Sequence, residues 1–438
     1  MTHCNKFQHT FTSIKNKKIE LNFAAGAVSS DGGAMLLREA DLKLGLTSGI
    51  CEQLVDSRQV GKIKHDTLSM LRQRVYGIAL GYEDLNDHDN LRKCSNFQTT
   101  LSKESALASS PTLCRFEQNA DREMAVIIQK AIVETFVKSF KQPPKRLTLD
   151  FDATEDITHG EQQMSFFNGF YGNYCFLPLY VFCEHKLLVS YLRPSNEDGA
   201  KHCWAILALL VKRFRQEWPE VKITFRADSG FCRHNMLGWC EKNNVKYIVG
   251  IPGNANLLKT FGPVVKVAQQ TFCTNAKQEK VKLFSKFHYQ AKSWKAERII
   301  IAKVEVTKLG INQRFVVTNL KSKAKKIYND VYCKRGDMEN RIKEQKLGLR
   351  SDRTSATNWW SNNLRLLCAS LAYILIDYIR EKCLKGTALA KAYVGTIRLR
   401  LFKIGAIILK NTRRVQLMLS SVYPDKELFL AVAKKLIE

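Results

Sequence analysis

The stretch "YCKRGDMENRIKEQK", residues 332–346, sets a phenol, a guanidinium, a carboxylate and an ammonium at offsets of 0, +3, +7 and +14. In a helix turning about 100° per residue, Tyr332, Arg335, Glu339 and Lys346 fall within roughly 60° of arc, and Asp337 and Glu344 lie on the opposite flank. Such a stripe is normally apolar. A polar one is either a solvated face or the wall of a polar site. Arg335 and Lys346 can grip phosphate oxygens, Arg as a bidentate fork and Lys as a point charge. Tyr332 can donate a hydrogen bond to a phosphate or pack under a nucleic-acid backbone.

Three more acids belong to the same chemistry. Asp150 and Asp152 of "RLTLDFD" share one face of a strand, because residues two apart point the same way. Asp228 closes the strand of "VKITFRADSG". Asp228, Glu339 and one of Asp150 and Asp152 make a three-carboxylate set. Such a set suits two Mg²⁺ ions, with Mn²⁺ as a substitute, that activate a water or a 3′-hydroxyl and stabilise the leaving oxygen of an in-line displacement at phosphorus. Each acid also has an ordinary reading. An Asp before Ser-Gly is a turn residue, and a Glu with Arg four residues earlier is a surface ion pair. The functional reading rests on all of them converging at once.

Positioning them falls to an α/β domain. "RLTLDFD" (146–152), "YCFLPLYVFCE" (174–184) and "KLLVSYLRP" (186–194) read as strands and 199–218 as a helix. "VKITFRADSG" is a strand, a short helix surrounds "HNMLGWCEKN", and "VKYIVGI" is a further strand. This is the element order of a ribonuclease-H-like core, in which the first and fourth strands are neighbours and their carboxyl ends form the crevice. Five segments follow. Residues 1–145 are a mainly helical N-terminal region, given the DNA-binding role, with a long helix expected from Ser110-Pro111 to the prolines of "KQPPK". Residues 146–251 are the first part of the core, and 252–325 a β-rich insertion. Residues 326–380 return to the core with the Glu-bearing helix, and 381–438 form a helical C-terminal region.

Composition narrows the partners. Lys and Arg number 69 against 41 Asp and Glu, a formal charge of +28 on 438 residues, which favours a polyanion and nucleic acid first. No apolar run approaches the roughly 18 residues that span a bilayer, so no membrane role is expected. The first twenty residues lack a signal-peptide core, which points to the cytoplasm. Thirteen cysteines without a CxxC pair argue against both a disulfide framework and a zinc finger.

The spacing Tyr-x2-Arg-x3-Glu-x6-Lys at 332–346 is the signature of a class of bacterial insertion-sequence DDE transposases. The segments "SSDGGAMLLREAD", "LDFDATEDITHGEQ", "FFNGFYGNYCFLPLYVF", "FRADSGF" and "TIRLRLFKIGA" resemble the insertion-sequence group numbered thirteen-eighty. The resemblance covers nearly the whole chain. It implies a cut-and-paste reaction on inverted-repeat DNA ends and target DNA, a homodimeric active complex and a bacterial, nucleoid-associated protein. By position it carries the catalytic, metal-binding acids onto Asp152 (of Asp152-Ala153-Thr154), Asp228 and Glu339, with Asp150 as the alternative first ligand. Transposases that pass through hairpin ends can stack a flipped base on an aromatic of the insertion, which singles out Trp294; core packing is its other reading. A nuclease that cuts without joining and a silent DNA-binding relative are the competing functions.

Overall fold

The protein is described by a computed structural model over residues 9–274 and 279–438. The first eight residues, part of the segment read for a signal peptide, lie outside the described residues, as do 275–278 of the expected insertion. The chain divides into two compact units, one of residues 117–374 and one of residues up to 116 together with 375–438.

Alternating apolar residues build the larger unit. Its eight-stranded sheet consists of β1 (Arg146–Ala153), β2 (Leu179–Cys183), β3 (Lys186–Tyr191), β4 (Lys222–Ala227), β5 (Lys246–Ile251), β6 (Lys280–Tyr289), β7 (Arg298–Thr307) and β8 (Gly310–Thr318). The strands lie in the order β6-β7-β8-β5-β4-β1-β2-β3. β4 runs parallel to both β1 and β5, and every other pairing is antiparallel. The period-2 pattern of β1 sends Leu147, Leu149 and Phe151 into one large core, where Phe151 meets Phe225 of β4 edge-on at 5.1 Å. Asp150 and Asp152 therefore emerge together on the other face. α1 (Arg122–Lys138), α2 (Cys203–Glu217), α3 (His234–Lys242) and α4 (Ala255–Thr274) send buried side chains into the same core.

Four sequence expectations need correction. The single helix after Ser110 is two, Ser110–Gln118 and α1, because Asp121 caps the second by accepting from the Met124 amide at 2.8 Å. Residues 252–325 open on the twenty-residue α4, whose Gly262 and Pro263 hide its helical period. Their strands also form no separate sheet: β8 pairs with β5, so β6–β8 extend the core sheet. The C-terminal region is not wholly helical, since Ala406–Lys410 and Val415–Leu419 form a hairpin and Val28–Ser29 pairs with its first strand.

The fourth concerns the stretch with the polar stripe. It is no uniform α-helix. A wide π turn (Ile327–Tyr332) and a tight 3₁₀ turn (Cys333–Arg335) lead into α5 (Gly336–Lys343), and a second π turn follows at Glu344–Gly348. Each change of pitch resets the angular phase, so positions beyond α5 do not fall where 100° per residue puts them.

Candidate active site

The parallel register of β1 and β4 sets Asp150 opposite Arg226 and Phe151 opposite Ala227. One residue further, Asp228 comes beside Asp152. The two rungs differ in chemistry. Arg226 forks onto Asp150, with Nη2 donating to Oδ2 at 2.7 Å and Nε to Oδ1, and its Nη1 donates to the Val331 carbonyl. Both side chains are closed off, 8% and 3% exposed. Burial raises the Asp150 carboxyl against the pull of Arg226. Arg226 went unnoticed in the sequence, although it stands two residues before Asp228 on the same strand face, which is the signal that marks it.

The next rung is open. Asp152 Oδ1 accepts from the Ala153 amide at 3.0 Å, and its Oδ2 accepts from Arg335 Nη1 at 2.9 Å. Arg335 Nη2 donates to Glu339 Oε1, also at 2.9 Å, so one guanidinium ties the first acid to the third. Glu339 is half exposed. Asp228 caps the turn after β4, accepting from the Gly230 amide through Oδ1 at 2.8 Å. Burial pushes Asp152 up to about 6; Arg335 opposes the shift, and the charges of Asp228 and Glu339 add to it. A buried carboxylate whose ionisation two neighbouring acids oppose marks a place that favours a cation.

Tyr332 enters through a gap left by glycine. A Cβ on Gly250 of β5 would lie 2.8 Å from the Tyr332 hydroxyl and 2.8 Å from the Ser229 amide, so only Gly at this position lets the phenol reach the edge beside Asp228. Lys346 does not join the acids. Its ammonium binds the Glu155 carbonyl, lies 3.4 Å from Thr154 Oγ1 and pairs at 3.6 Å with Asp156. Asp156 is fully buried, and burial pushes its carboxyl up to about 8 against the attraction of Lys346. Sequence reasoning passed over Asp156, since nothing local marks it.

One other expectation fails on geometry, and of the two readings of Trp294 the burial favours core packing. Glu344 is not on a solvated flank: its side chain is 1% exposed and accepts from Arg341 Nη1 at 2.8 Å, because the second π turn rotates it inward. Trp294 offers no free face to a base. It is 7% exposed, packs edge-on against Tyr289 at 5.8 Å and lies under the Arg298 guanidinium at 5.1 Å.

The donor set fits a divalent cation in chemistry, being hard carboxylate oxygens whose mutual repulsion a cation relieves. Arg335 already supplies positive charge between two of them. Among the described residues no three His, Cys, Asp or Glu side chains are drawn together as a finished metal cage, and the width of that guanidinium separates Asp152 from Glu339.

Comparison with known proteins follows the same line. No curated protein sequence matches the chain. Among solved structures it is similar to the cryo-EM structure of piggyBac transposase in a synaptic complex with hairpin DNA, at 10% identity, covering 85% of this chain and 79% of that one, with a TM-score of 0.42. The family model described as transposase DDE domain group 1 matches residues 11–438. A match that leaves out only the first ten residues and includes all three acids makes the chain a member of that transposase family.

Proposed function

We propose that the protein is a DNA transposase that cuts the ends of its own mobile element and joins them to target DNA by metal-dependent phosphoryl transfer. The observation that carries this reading is the open rung, where Asp152, Asp228 and Glu339 stand around Arg335 at the end of β1 and β4. The strand order β3-β2-β1-β4-β5, with its two central acids on adjacent parallel strands, supports a ribonuclease-H-like core.

Asp152, Asp228 and Glu339 would hold the divalent ions, Mg²⁺ or Mn²⁺, which supply charge to the attacking and leaving oxygens of an in-line displacement. Arg335 orients Asp152 and Glu339 through separate nitrogens, and its planar fork also suits a phosphate. Tyr332, held beside Asp228 through the gap at Gly250, can donate to a phosphate oxygen. Lys346 acts at one remove, fixing the chain just after β1 through Glu155 and Asp156.

The test incubates the purified protein with Mg²⁺ or Mn²⁺ and a DNA fragment carrying the inverted repeats that flank its own gene, and maps cut ends and joined products. Cuts at the repeat ends with strand joining are expected. Cuts without joining would make the protein a nuclease, and binding without cuts a silent relative.

A further inference from the structure

Arg314 of β8 is an exposed cation, and among the described residues no hydrogen bond or ion pair holds it. Its place follows from the register of the sheet. Ala227 pairs with Val249, so Asp228 comes beside Gly250 of β5, and Gly250 pairs with Val316 of β8. Arg314 lies two residues beyond Val316, further toward the crevice, and residues two apart share a face. It therefore stands on the sheet face that carries Asp152 and Asp228. A cleft opens between Arg314 and the acids, lined by Ser229, Gly250, Gln313, Arg314 and Tyr332.

The charge of Arg314 is not spent inside the fold. Across the ladder it faces Lys303 of β7, and Lys303 faces Phe284 of β6. Like charges directly opposite one another destabilise a sheet. The acid that this face offers among the described residues of β6–β8 is Glu305, which accepts from Lys303 and pairs with Lys282 at 3.3 Å. Lys303 also lies over the Tyr328 ring at 5.8 Å, and Lys286 donates to the Ser322 carbonyl at 3.5 Å. Lys282, Lys286 and Lys303 each have a partner, and Arg314 is left facing a like charge.

An unpaired guanidinium fork at the rim of an acid-lined cleft suits an anion with several oxygens. Strand spacing and rise put the Cα atoms of Arg314 and Asp228 roughly 12 Å apart, too far for one anion to meet both and close enough for successive phosphates of one strand. A repeating polyanion fits that spacing, and the chain's charge of +28 favours one. We propose that Arg314 is a DNA-binding residue that holds a backbone phosphate of the element's end, about one or two nucleotides from the phosphate being cut. This rests on the reading of Asp152, Asp228 and Glu339 as the site of DNA cleavage.

The test uses the full chain and a duplex carrying the terminal sequence that flanks its own gene, both intact and with single phosphates near the cut replaced in turn by neutral methylphosphonates. Arg314→Ala should cut the intact duplex roughly 10- to 150-fold more slowly at low DNA concentration, the span that loss of one charge-assisted contact produces. It should melt no lower than wild type, since its loss relieves the repulsion with Lys303. Arg314→Lys should keep part of the rate, having the charge without the fork. At one methylphosphonate position the wild type should slow to the rate of Arg314→Ala, and the variant should lose nothing more. Equal rates for Arg314→Ala and wild type on the intact duplex would overturn the proposal while cleavage itself stands. So would a deficit that persists unchanged at every neutralised position, or a fall in melting temperature that accounts for the lost rate. Full-rate cutting with slowed joining of pre-cut ends would also overturn it, giving the residue to target DNA. A wild-type protein that neither binds nor cuts the intact duplex would instead overturn the DNA-cleavage reading and this proposal with it.

Discussion

Asp150–Arg226 and Asp152–Arg335 are the same two residue types meeting two residues apart on one strand face, yet they are different kinds of object. In the first pair both guanidinium edges and both carboxylate oxygens are spent, and the pair is nearly sealed, 8% and 3% exposed. In the second the guanidinium is shared with a half-exposed Glu339, and both members keep some access to solvent, 18% and 12% exposed. A closed ion pair holds two strands in register. An open one, with a second acid on the same cation and a third alongside, leaves charge to be met from outside. Saturation of partners distinguishes the two, and residue type does not.

The contrast breaks most sharply under substitution. Asp152→Asn, Asp228→Asn and Glu339→Gln each remove a charge without changing side-chain volume. DNA cleavage should fall by at least roughly 10²–10³-fold in each, the scale of losing one preorganised electrostatic stabiliser, while melting temperatures stay near wild type. Arg226→Ala should do the reverse: it strands a buried carboxylate at a cost of about 3–5 kcal/mol in folding, and any activity loss should follow the loss of folded protein. Denaturation curves run beside cleavage assays on the four variants decide the matter. If Arg226→Ala folds normally and is dead, the closed pair belongs to the chemistry and the distinction collapses.

A smaller effect separates two acids on one helical stretch. Asp337 accepts from Arg341 Nη2 at 3.3 Å and is half exposed, whereas Glu344 meets the same arginine at 2.8 Å and is buried. Glu344→Ala should therefore cost about 1–3 kcal/mol, since it takes a charged partner from a mostly buried guanidinium, and Asp337→Ala should stay within about 0.5 kcal/mol. Chemical denaturation of the two variants measures the difference directly. Equal costs would mean that the π turn does not bury Glu344 in solution.

These cases show where sequence stops being legible. Strands β1 to β5 are readable because period-2 alternation in "RLTLDFD" and "VKITFRAD" is a local property, and residues two apart share a face whatever surrounds them. The nearness of Arg335 and Glu339 is readable for a similar reason, since four residues make one helical turn. Lys346 and Glu344 are not readable at 100° per residue, because a 3₁₀ turn lies before both and a π turn begins at Glu344 and holds Lys346, and such changes of pitch leave little mark on composition. Trp294 illustrates a different limit: it lies in the loop between β6 and β7, and only the fold of that loop, not the spacing, brings its indole against Tyr289 and Arg298 at the strand ends. The pairing of Asp150 with Arg226 needs the register of β1 against β4, which is fixed by tertiary packing.

Lys346 and Asp156 give the most specific test, because here an acid is both sealed and short of partners. The carboxyl has no exposure, its nearest cation lies at 3.6 Å, and burial pushes it up to about 8 from a usual value near 3.8. A raised acid is held neutral by the fold. The stability it contributes is complete below about 3.8, where the folded and unfolded chains both carry the proton, and falls as pH rises toward 8, because the unfolded chain ionises first. Above about 8 both states are ionised and the decline stops. Asp156→Asn cannot ionise, so it should melt progressively higher than wild type as pH rises from 5 to 8, with a slope of at most about 1.4 kcal/mol per pH unit, and the gap should level off beyond that. Titrations elsewhere in the protein cancel in the difference between the two melting series. A variant less stable than wild type by the same margin from pH 5 to 9 would show instead that Asp156 is ionised throughout and that Lys346 is held by a true ion pair, which would move this end of the helix into the same closed class as Asp150 and Arg226.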